Sequence, residues 1–338
     1  MNAVAKVEAV VPFDHRQSAH CESGVISGLL RHNGLAISEP MAFGISGALC
    51  YAYVPFLKFG GLPLFAYRMP PGHIIRGLTR RLGVKMHMQT FRQPAEGTRV
   101  LDQHLADGRA VGVQTSAYWL SYFPPDMRFH FNAHNLVVYG KRGDQYLISD
   151  PVIDILVECE AEALQKARFT RGVLAPKGLL YYPDHVPAQP DLRRAVRQGI
   201  RYTTGMMLYT PLPIAGTRGI RLVSRKVRKL DPRRGDYNKL LLGHMVRMQE
   251  EIGTGGAGFR FLYASFLQEA GALLEKPKLL EFAARLTDVG DEWRRFALHA
   301  AKMCKGRMDM DYGMLADQLL DCAGREDSLY RELRAEVK

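Results

Sequence analysis

Apolar residues between positions 20 and 34 recur at the spacing of one helix face. They are Val25, Ile26, Leu29 and Leu30, in the segment HCESGVISGLLRHNG. Repeats of three and four residues predict an amphipathic helix, and Asn33-Gly34 is a typical stop signal. Because Ser18 and His20 precede the apolar run, we expect the helix to begin near them and to extend for about three turns.

Two further apolar runs, separated by a turn that contains glycine, predict a β-hairpin. They are Phe129 to Tyr139 and Gln145 to Ser149. If the loop is the three-residue Lys141-Arg142-Gly143, the pairing centres on residue 142 and His134 lies directly opposite Asp150. A two-residue loop at Arg142-Gly143 would instead place these two side chains on opposite faces of the sheet.

The pattern changes after the prolines at 183, 187 and 190. Short helical and strand-like segments alternate before them, including a strand over Ala110 to Val113, and helical periodicity dominates after them. The helices predicted there span Tyr237 to Ile252, Phe259 to Leu274, Pro277 to Leu286, Glu292 to Cys304 and Met310 to Leu320. We therefore expect an α+β domain over residues 10–185, followed by a helical domain over 186–338.

Composition excludes several classes of protein. Of the 338 residues, 47% are apolar and 24% are charged, which excludes disordered and fibrous chains. The five cysteines are widely spread and form no C-x-x-C pair, so we expect no disulfide framework, no metal site and a reducing, cytoplasmic location. Lys6 and Glu8 interrupt the apolar run that a secretory signal needs. Proline and glycine break the uncharged stretch Pro40 to Leu57, which favours a core segment over a membrane span.

Most of the net charge of +12 is concentrated in residues 193–235. The apolar positions Ile220, Val223, Val227 and Leu230 predict a basic amphipathic helix that also carries Arg225, Arg228 and Lys229. This face is either simply solvated or binds an acidic protein or an anionic membrane surface. Nucleic acid is not an expected partner, because the sequence has no helix-turn-helix, zinc-finger or RNP-type signature and no aromatic residues between the basic ones.

Cys21 falls in the first turn of the helix predicted over residues 20–34. The positive end of the helix dipole favours the thiolate there, which is the nucleophilic form. In the three-residue-loop register, Asp150 would orient the His134 imidazole while the other ring nitrogen addresses the thiol. The order of a cysteine, a histidine on a strand and an aspartate on the next strand is typical of papain-like cysteine enzymes. Two other histidines are alternative bases: His130 and His20.

Several short motifs together resemble a known family. They are His20-Cys21-Glu22-Ser23, Ser38-Glu39, Phe43-Gly44, Ala133 to Gly140 and Tyr146 to Pro151. The motifs are similar to the N-terminal domain family of the butirosin-biosynthesis acyltransferase, over most of the first 180 residues. The helical half, with GTGGAGFR at residues 253–260, resembles the C-terminal domain that accompanies it.

The resemblance implies a papain-like cysteine fold, similar to the peptidases that trim double-glycine leader peptides. It implies acyl transfer from an acyl carrier protein thioester to an amine, with Cys21 as nucleophile, His134 as base and Asp150 as the orienting residue. No bound cofactor is expected, because the donor brings its own phosphopantetheine arm. Papain-like peptidases place an oxyanion-hole glutamine six residues before the cysteine. Here that position is His15, and Gln17 lies four before, so the Cys21 backbone N–H is the expected oxyanion donor.

Two other groups of residues are candidates for substrate binding. The glycine-rich segment 253–258 is either a plain interhelical loop or a phosphate site for the phosphopantetheine arm, with Gly255, Gly256 and Arg260 as ligands. Tyr118, Trp119 and Tyr122 either line an acyl or amine pocket or belong to the core.

The sequence thus predicts an N-acyltransferase that forms an amide through an acyl-cysteine intermediate, with an acyl carrier protein and a small amine as partners. A cysteine peptidase or amidase on the same scaffold is the alternative within enzymes. A non-catalytic module that binds a carrier protein or a membrane surface is the alternative from another class. The pattern does not specify the acyl group, the amine or the oligomeric state.

Overall fold

Strands and helices alternate in the first half of the chain, and helices fill the second. The computed structural model describes residues 9–337. The strands are β1 Ala9–Val10, β2 Leu49–Phe59, β3 Leu62–Arg68, β4 Lys85–Gln89, β5 Val111–Thr115, β6 His134–Arg142, β7 Gln145–Ser149, β8 Val157–Glu160 and β9 Leu180–His185. The helices are α1 Cys21–His32, α2 Glu39–Ser46, α3 His73–Leu82, α4 Pro94–Ala106, α5 Ala161–Arg168, α6 Leu192–Tyr209, α7 Gly216–Arg228, α8 Gly235–Glu250, α9 Arg260–Leu274, α10 Lys278–Cys304 and α11 Tyr312–Glu336.

An antiparallel sheet forms the framework of the site. Its strand order is β4-β9-β5-β6-β7-β8, and β1 pairs with β6 beyond the end of β5. Side chains of β6 and β7 such as Leu136 and Ile148 are fully buried with α4 and α5 residues in one apolar core. Helix α1 packs against β5, β6 and β9. The antiparallel sheet followed by helices confirms the predicted α+β class.

The chain divides by its contacts into two compact units. The first comprises the described residues up to Glu39 together with Leu82–Pro190, and the second comprises Pro40–Arg81 together with the chain from Asp191 onward. The sequence predicts that residues 40–81 belong to the first domain, which it places over residues 10–185. They belong by contact to the second unit because the β2–β3 hairpin packs against α6, α7 and α8.

The second unit contains one long helix where the sequence predicts two. The two predicted segments, Pro277 to Leu286 and Glu292 to Cys304, form the single helix α10, with Pro277 as its N-cap. Gly290 lies where the sequence suggested a break, but a Cβ atom there would come within 2.7 Å of the Phe261 ring. The glycine therefore permits close packing of α9 on α10 and does not end the helix.

The second unit contains a fully buried ion pair. The Arg260 guanidinium donates to both carboxylate oxygens of Glu326, at 2.9 and 3.1 Å, and neither side chain is exposed. The Trp293 indole N–H donates to the same carboxylate at 2.7 Å. Burial lowers the pKa of Arg260, but the Glu326 carboxylate outweighs it and raises that pKa above its ordinary value.

The uncharged stretch from Pro40 to Leu57 is divided between α2 and β2. Within residues 9–337, no helix has the length and apolar character needed to cross a membrane.

Candidate active site

Cys21 is the first residue of α1, as the sequence predicts. His20 precedes it in extended conformation as the N-cap, and the His20 ring accepts a hydrogen bond from the backbone N–H of Ser23 at 3.4 Å. The Cys21 amide lies in the first turn, where backbone N–H groups have no acceptor within the helix. The thiol and the amide are thus both placed at the positive end of the helix dipole.

Glu39 fixes the turn that leads into Cys21. Its carboxylate accepts hydrogen bonds from the backbone N–H groups of Ala19 and His20, both at 2.8 Å, and from the Ser23 hydroxyl at 2.9 Å. Burial raises the pKa of Glu39, and these three donors oppose that shift. The contacts hold the Cys21 backbone from both sides, because Ala19 and His20 precede it and Ser23 follows it.

Gly24 allows the end of β7 to approach the start of α1. A Cβ atom at this position would lie 2.6 Å from the Pro151 side chain and 2.7 Å from that of Ser18. The Ser18 backbone N–H also donates to the Pro151 carbonyl at 2.7 Å. The residue after Asp150 is therefore held against the first turns of the helix that carries the thiol.

His134 and Asp150 form a buried hydrogen-bonded pair. The His134 Nε2 atom lies 2.7 Å from Asp150 Oδ2, and the Tyr122 hydroxyl donates to that same oxygen at 2.7 Å. The other carboxylate oxygen accepts the Val152 backbone N–H at 3.1 Å. Since Nε2 faces Asp150, Nδ1 is the ring nitrogen available to the Cys21 thiol, which hydrogen-bonds to this histidine.

The hairpin register that led to this pair differs from the predicted one. Arg142 pairs with Gln145, so the loop is the two-residue Gly143-Asp144, and His134 is not directly opposite Asp150. A β-bulge at Tyr139 then shifts the register by one residue, so that Val137 pairs with Ser149. Because of this shift, residue 150 lies on the same face of the sheet as His134. The predicted contact is present, but the predicted loop is wrong.

Electrostatics favour a charged imidazolium at this site. Burial lowers the pKa of His134, but the Asp150 carboxylate and the Cys21 sulfur outweigh it and raise the pKa to about 10. Burial and the same carboxylate raise the pKa of Tyr122 well above its usual range, so Tyr122 remains a hydrogen-bond donor. The group of atoms can hold a thiolate–imidazolium pair, the reactive form of a nucleophilic cysteine.

We expect this pair to make stability depend on pH. Because the folded-state pKa of His134 is raised to about 10, its contribution is fully present below the ordinary value near 6.5 and is lost as the pH rises through about 10. Replacing Asp150 by asparagine removes a main cause of the shift. Urea unfolding at pH 7 and pH 10 should therefore show a smaller loss of unfolding free energy in Asp150→Asn than in the wild type. An equal loss in both would contradict the pairing.

Two of the other predicted residues have exposed side chains and form no hydrogen bond or ring contact with Cys21 or His134 within residues 9–337. Gln17 is exposed, and His130 is also exposed, outside β6, with its ring stacked on Tyr118 at 4.2 Å. Strand β6 begins only at His134, so His130 does not share its strand face as predicted. The His20 ring bonds to Ser23 as a helix cap, a structural role for the second alternative base. Tyr118 is 41% exposed, and Tyr122 bonds to Asp150.

The predicted phosphate site is not open to a ligand. Arg260 is fully buried and paired with Glu326, so it is a core residue. The Gly256 backbone N–H donates to the Thr254 hydroxyl at 3.1 Å, and the next amide, that of Ala257, donates to the Glu250 carboxylate. The loop that contains Gly255 and Gly256 therefore already uses a carboxylate of this chain where a phosphate was expected.

The basic amphipathic helix is present as α7. Ile220, Val223 and Val227 are buried, and the helix ends at Arg228, before Leu230. Arg228 pairs with Asp317. Arg225 and Lys229 are exposed, and among residues 9–337 neither has an ion-pair partner. Two of the three predicted basic residues are therefore free to meet an acidic surface.

His15 occupies the position six residues before Cys21. Its Nδ1 atom lies 2.8 Å from the Ser149 hydroxyl oxygen, and its Nε2 atom is buried without a hydrogen-bond partner in the described part of the chain. Sequence reasoning gave no role to Ser149. The contact links the segment before the thiol to the end of β7.

A thiol at a helix N-terminus, bonded to an imidazole that a carboxylate orients, defines a papain-like cysteine enzyme. The family model described as Butirosin biosynthesis protein H, N-terminal, matches residues 20–151, which include Cys21, His134 and Asp150. The model of a Domain of unknown function (DUF4872) matches residues 162–333. The chain belongs to this butirosin biosynthesis protein H type of family, as the sequence motifs predict.

The chain was also compared with solved structures and with curated proteins. A crystal structure described as that of a C39-like peptidase from Bacillus anthracis is 18% identical, with a TM-score of 0.36, and the match covers 54% of this chain and 100% of that one. Among curated proteins, none matches this chain.

Proposed function

We propose that this protein is an N-acyltransferase. It takes an acyl group from an acyl carrier protein thioester onto Cys21 and transfers it to an amine. The observation that supports this best is the chain of contacts from Cys21 through His134 to Asp150, in a chain of the butirosin biosynthesis protein H type of family. Five free cysteines are in keeping with a cytoplasmic enzyme.

In the first half-reaction the Cys21 thiolate attacks the thioester carbonyl. The bond from sulfur to the acyl carbon forms, the bond to the phosphopantetheine sulfur breaks, and the protonated His134 gives its proton to that leaving thiolate. The Cys21 backbone N–H is the candidate donor to the developing oxyanion. Neutral His134 is then ready to act as a base.

In the second half-reaction the amine attacks the acyl-Cys21 carbonyl. A carbon–nitrogen bond forms, the bond to Cys21 sulfur breaks, and the amine proton passes to His134, which restores the thiolate–imidazolium pair. Exchange of one thioester for another is nearly isoenergetic, whereas amide formation is downhill. A thiol nucleophile therefore suits a donor thioester and an amine acceptor.

Carrier proteins are acidic, and the free basic residues at the C-terminal end of α7 would attract such a partner. Arg225 and Lys229 are exposed, and Lys226 lies 5.7 Å from the Tyr53 ring centre. The charges stand on the polar side of a helix whose apolar side is buried. We therefore assign docking of the donor protein to this face of α7.

Intact-mass spectrometry tests the proposal directly. After incubation with an acyl carrier protein thioester, the wild-type protein should gain the mass of the acyl group, and Cys21→Ala should not. Added primary amine should then remove the acyl group as an amide. Release only by water would favour the peptidase or amidase alternative. An unmodified Cys21 with every donor would contradict enzyme function and favour a binding module.

Charge reversal on α7 should weaken use of the carrier protein alone. The double variant Arg225→Glu, Lys229→Glu should raise the KM for the acyl carrier protein about tenfold, because attraction between exposed charges contributes to docking. An N-acetylcysteamine thioester has no acidic surface, so its turnover should stay near the wild-type value. The effect should shrink at high ionic strength.

A matched control changes the same charge elsewhere in the second unit. Lys302→Glu, Lys305→Glu replaces two exposed lysines at the end of α10. If this variant loses carrier-protein turnover as strongly, only net charge matters. If the α7 variant loses activity with both donors, α7 is structural.

A further inference from the structure

Two large apolar side chains project from an irregular part of β2. The pairing of β2 with β3 skips residues 55–57, which form a bulge in the strand. Within this bulge Phe56 is 75% exposed and Leu57 is 52% exposed. Single exposed apolar residues are common on protein surfaces, but a phenylalanine and a leucine that are adjacent and both exposed indicate a surface that another molecule covers.

A third exposed apolar residue lies in a turn beside the same strand. The Ala215 backbone N–H donates to the Leu212 carbonyl at 3.2 Å, which closes a β-turn. Ala215 forms a bridge with Ala52, and the Tyr53 backbone N–H donates to the Ile214 carbonyl at 2.8 Å. Leu212 is 55% exposed, and the prolines on both sides of it are exposed as well. The turn is therefore held against β2 a few residues before the bulge.

The two segments that carry these apolar residues contain no acidic side chain. Residues 40–81 include five Lys or Arg residues and residues 192–230 include ten, but neither segment includes Asp or Glu. Both segments belong to the second unit, where α6 and α7 pack against β2. Lys58 and Arg218 are exposed, and neither has an ion-pair partner within residues 9–337. The surroundings of the exposed apolar residues are therefore complementary to an anionic surface.

We propose that this surface binds an anionic lipid membrane, with Phe56, Leu57 and Leu212 inserted at the boundary between headgroups and acyl chains. Lys58 follows the bulge directly and Arg218 lies in the first turn of α7, so both can meet lipid phosphates. A stable protein interface buries about 800 Å² per partner, more than three side chains supply. Insertion about 5–10 Å into a membrane surface needs only a few projecting apolar side chains with cations beside them. This inference does not depend on the proposed acyl transfer.

Co-sedimentation with lipid vesicles tests the proposal. The wild type should sediment with vesicles of phosphatidylcholine and phosphatidylglycerol but not with phosphatidylcholine alone, and added salt should weaken the binding. The double variant Phe56→Ser, Leu57→Ser should bind the mixed vesicles at least about tenfold more weakly, because two apolar side chains no longer enter the membrane. The matched control Leu298→Ser, Leu320→Ser changes two leucines of α10 and α11 that are 51% and 47% exposed, and it should bind like the wild type.

A fluorescence measurement detects the insertion itself. Mixed vesicles with brominated acyl chains should quench the tryptophan emission that Phe56→Trp adds to that of the wild type, but not the emission that Leu298→Trp adds. Equal binding to phosphatidylcholine alone, equal losses in the two serine variants, or no quenching in Phe56→Trp would each overturn the proposal. If Phe56→Ser, Leu57→Ser binds vesicles normally but raises the KM for the acyl carrier protein, the bulge contacts that protein and the membrane assignment is wrong.

Discussion

Replacing His134 by alanine is expected to lower the rate of Cys21 acylation at least about 10³-fold. The imidazole is the group hydrogen-bonded to the thiol, and its pKa of about 10 keeps it protonated beside the Cys21 sulfur at neutral pH. Without it the thiol has no charged partner, and the leaving thiolate has no proton donor. The measurement is the rate of mass gain with an N-acetylcysteamine thioester, compared with the rate of alkylation of Cys21 by iodoacetamide.

The companion variants separate the base from its surroundings. Asp150→Asn should retain a slower reaction, because the Tyr122 and Val152 contacts still place residue 150 but the carboxylate charge is lost. His130→Ala should react at nearly the wild-type rate, since His130 is exposed and stacks on Tyr118. An inactive His130→Ala together with an active His134→Ala would show that the wrong histidine has been assigned.

Glu326→Gln is expected to be the most destabilising single change considered, at about 3–5 kcal/mol. The substitution keeps the shape of the side chain but leaves the Arg260 guanidinium as a buried charge without a counter-ion. Trp293 also loses a charged acceptor. Urea unfolding of the wild type and the variant would measure the difference in unfolding free energy.

The same substitution on the same helix provides the control. Glu332 accepts two hydrogen bonds from Arg285, but both side chains are more than 40% exposed. Glu332→Gln should cost less than about 1 kcal/mol, because water screens exposed pairs. Similar losses for the two variants would mean that the buried pair contributes no more than a surface pair.

The sequence identified the candidate residues better than the contacts between them. Periodicity placed Cys21 at the start of a helix, and strand order suggested His134 and Asp150. The predicted length of the β6–β7 loop was wrong, but the bulge at Tyr139 shifts the register so that His134 and Asp150 still meet. Bulges have no reliable local signature, because they depend on how two strands and their neighbours pack.

Residues whose roles depend on long-range contacts could not be found in this way. Glu39 stabilises the turn before Cys21 from 18 positions along the chain. Arg260 shows the converse. Its glycine-rich surroundings suggested a phosphate ligand, but its partner Glu326 lies 66 positions away and cannot be paired with it by local pattern. Local patterns report secondary structure, whereas partners across the fold follow from tertiary packing.

The segment between Glu39 and Leu82 leaves the first unit and joins the second. This arrangement restricts which fragments of the protein can fold and affects the order of folding during synthesis. A fragment ending at Pro190 would contain the thiol, the imidazole and the carboxylate, but also the β2–β3 hairpin without the helices that cover it. During translation, residues 40–81 leave the ribosome long before α6, α7 and α8 exist. The apolar residues of the hairpin therefore stay exposed until those helices are synthesised. We expect a chaperone that acts on the nascent chain to bind this segment.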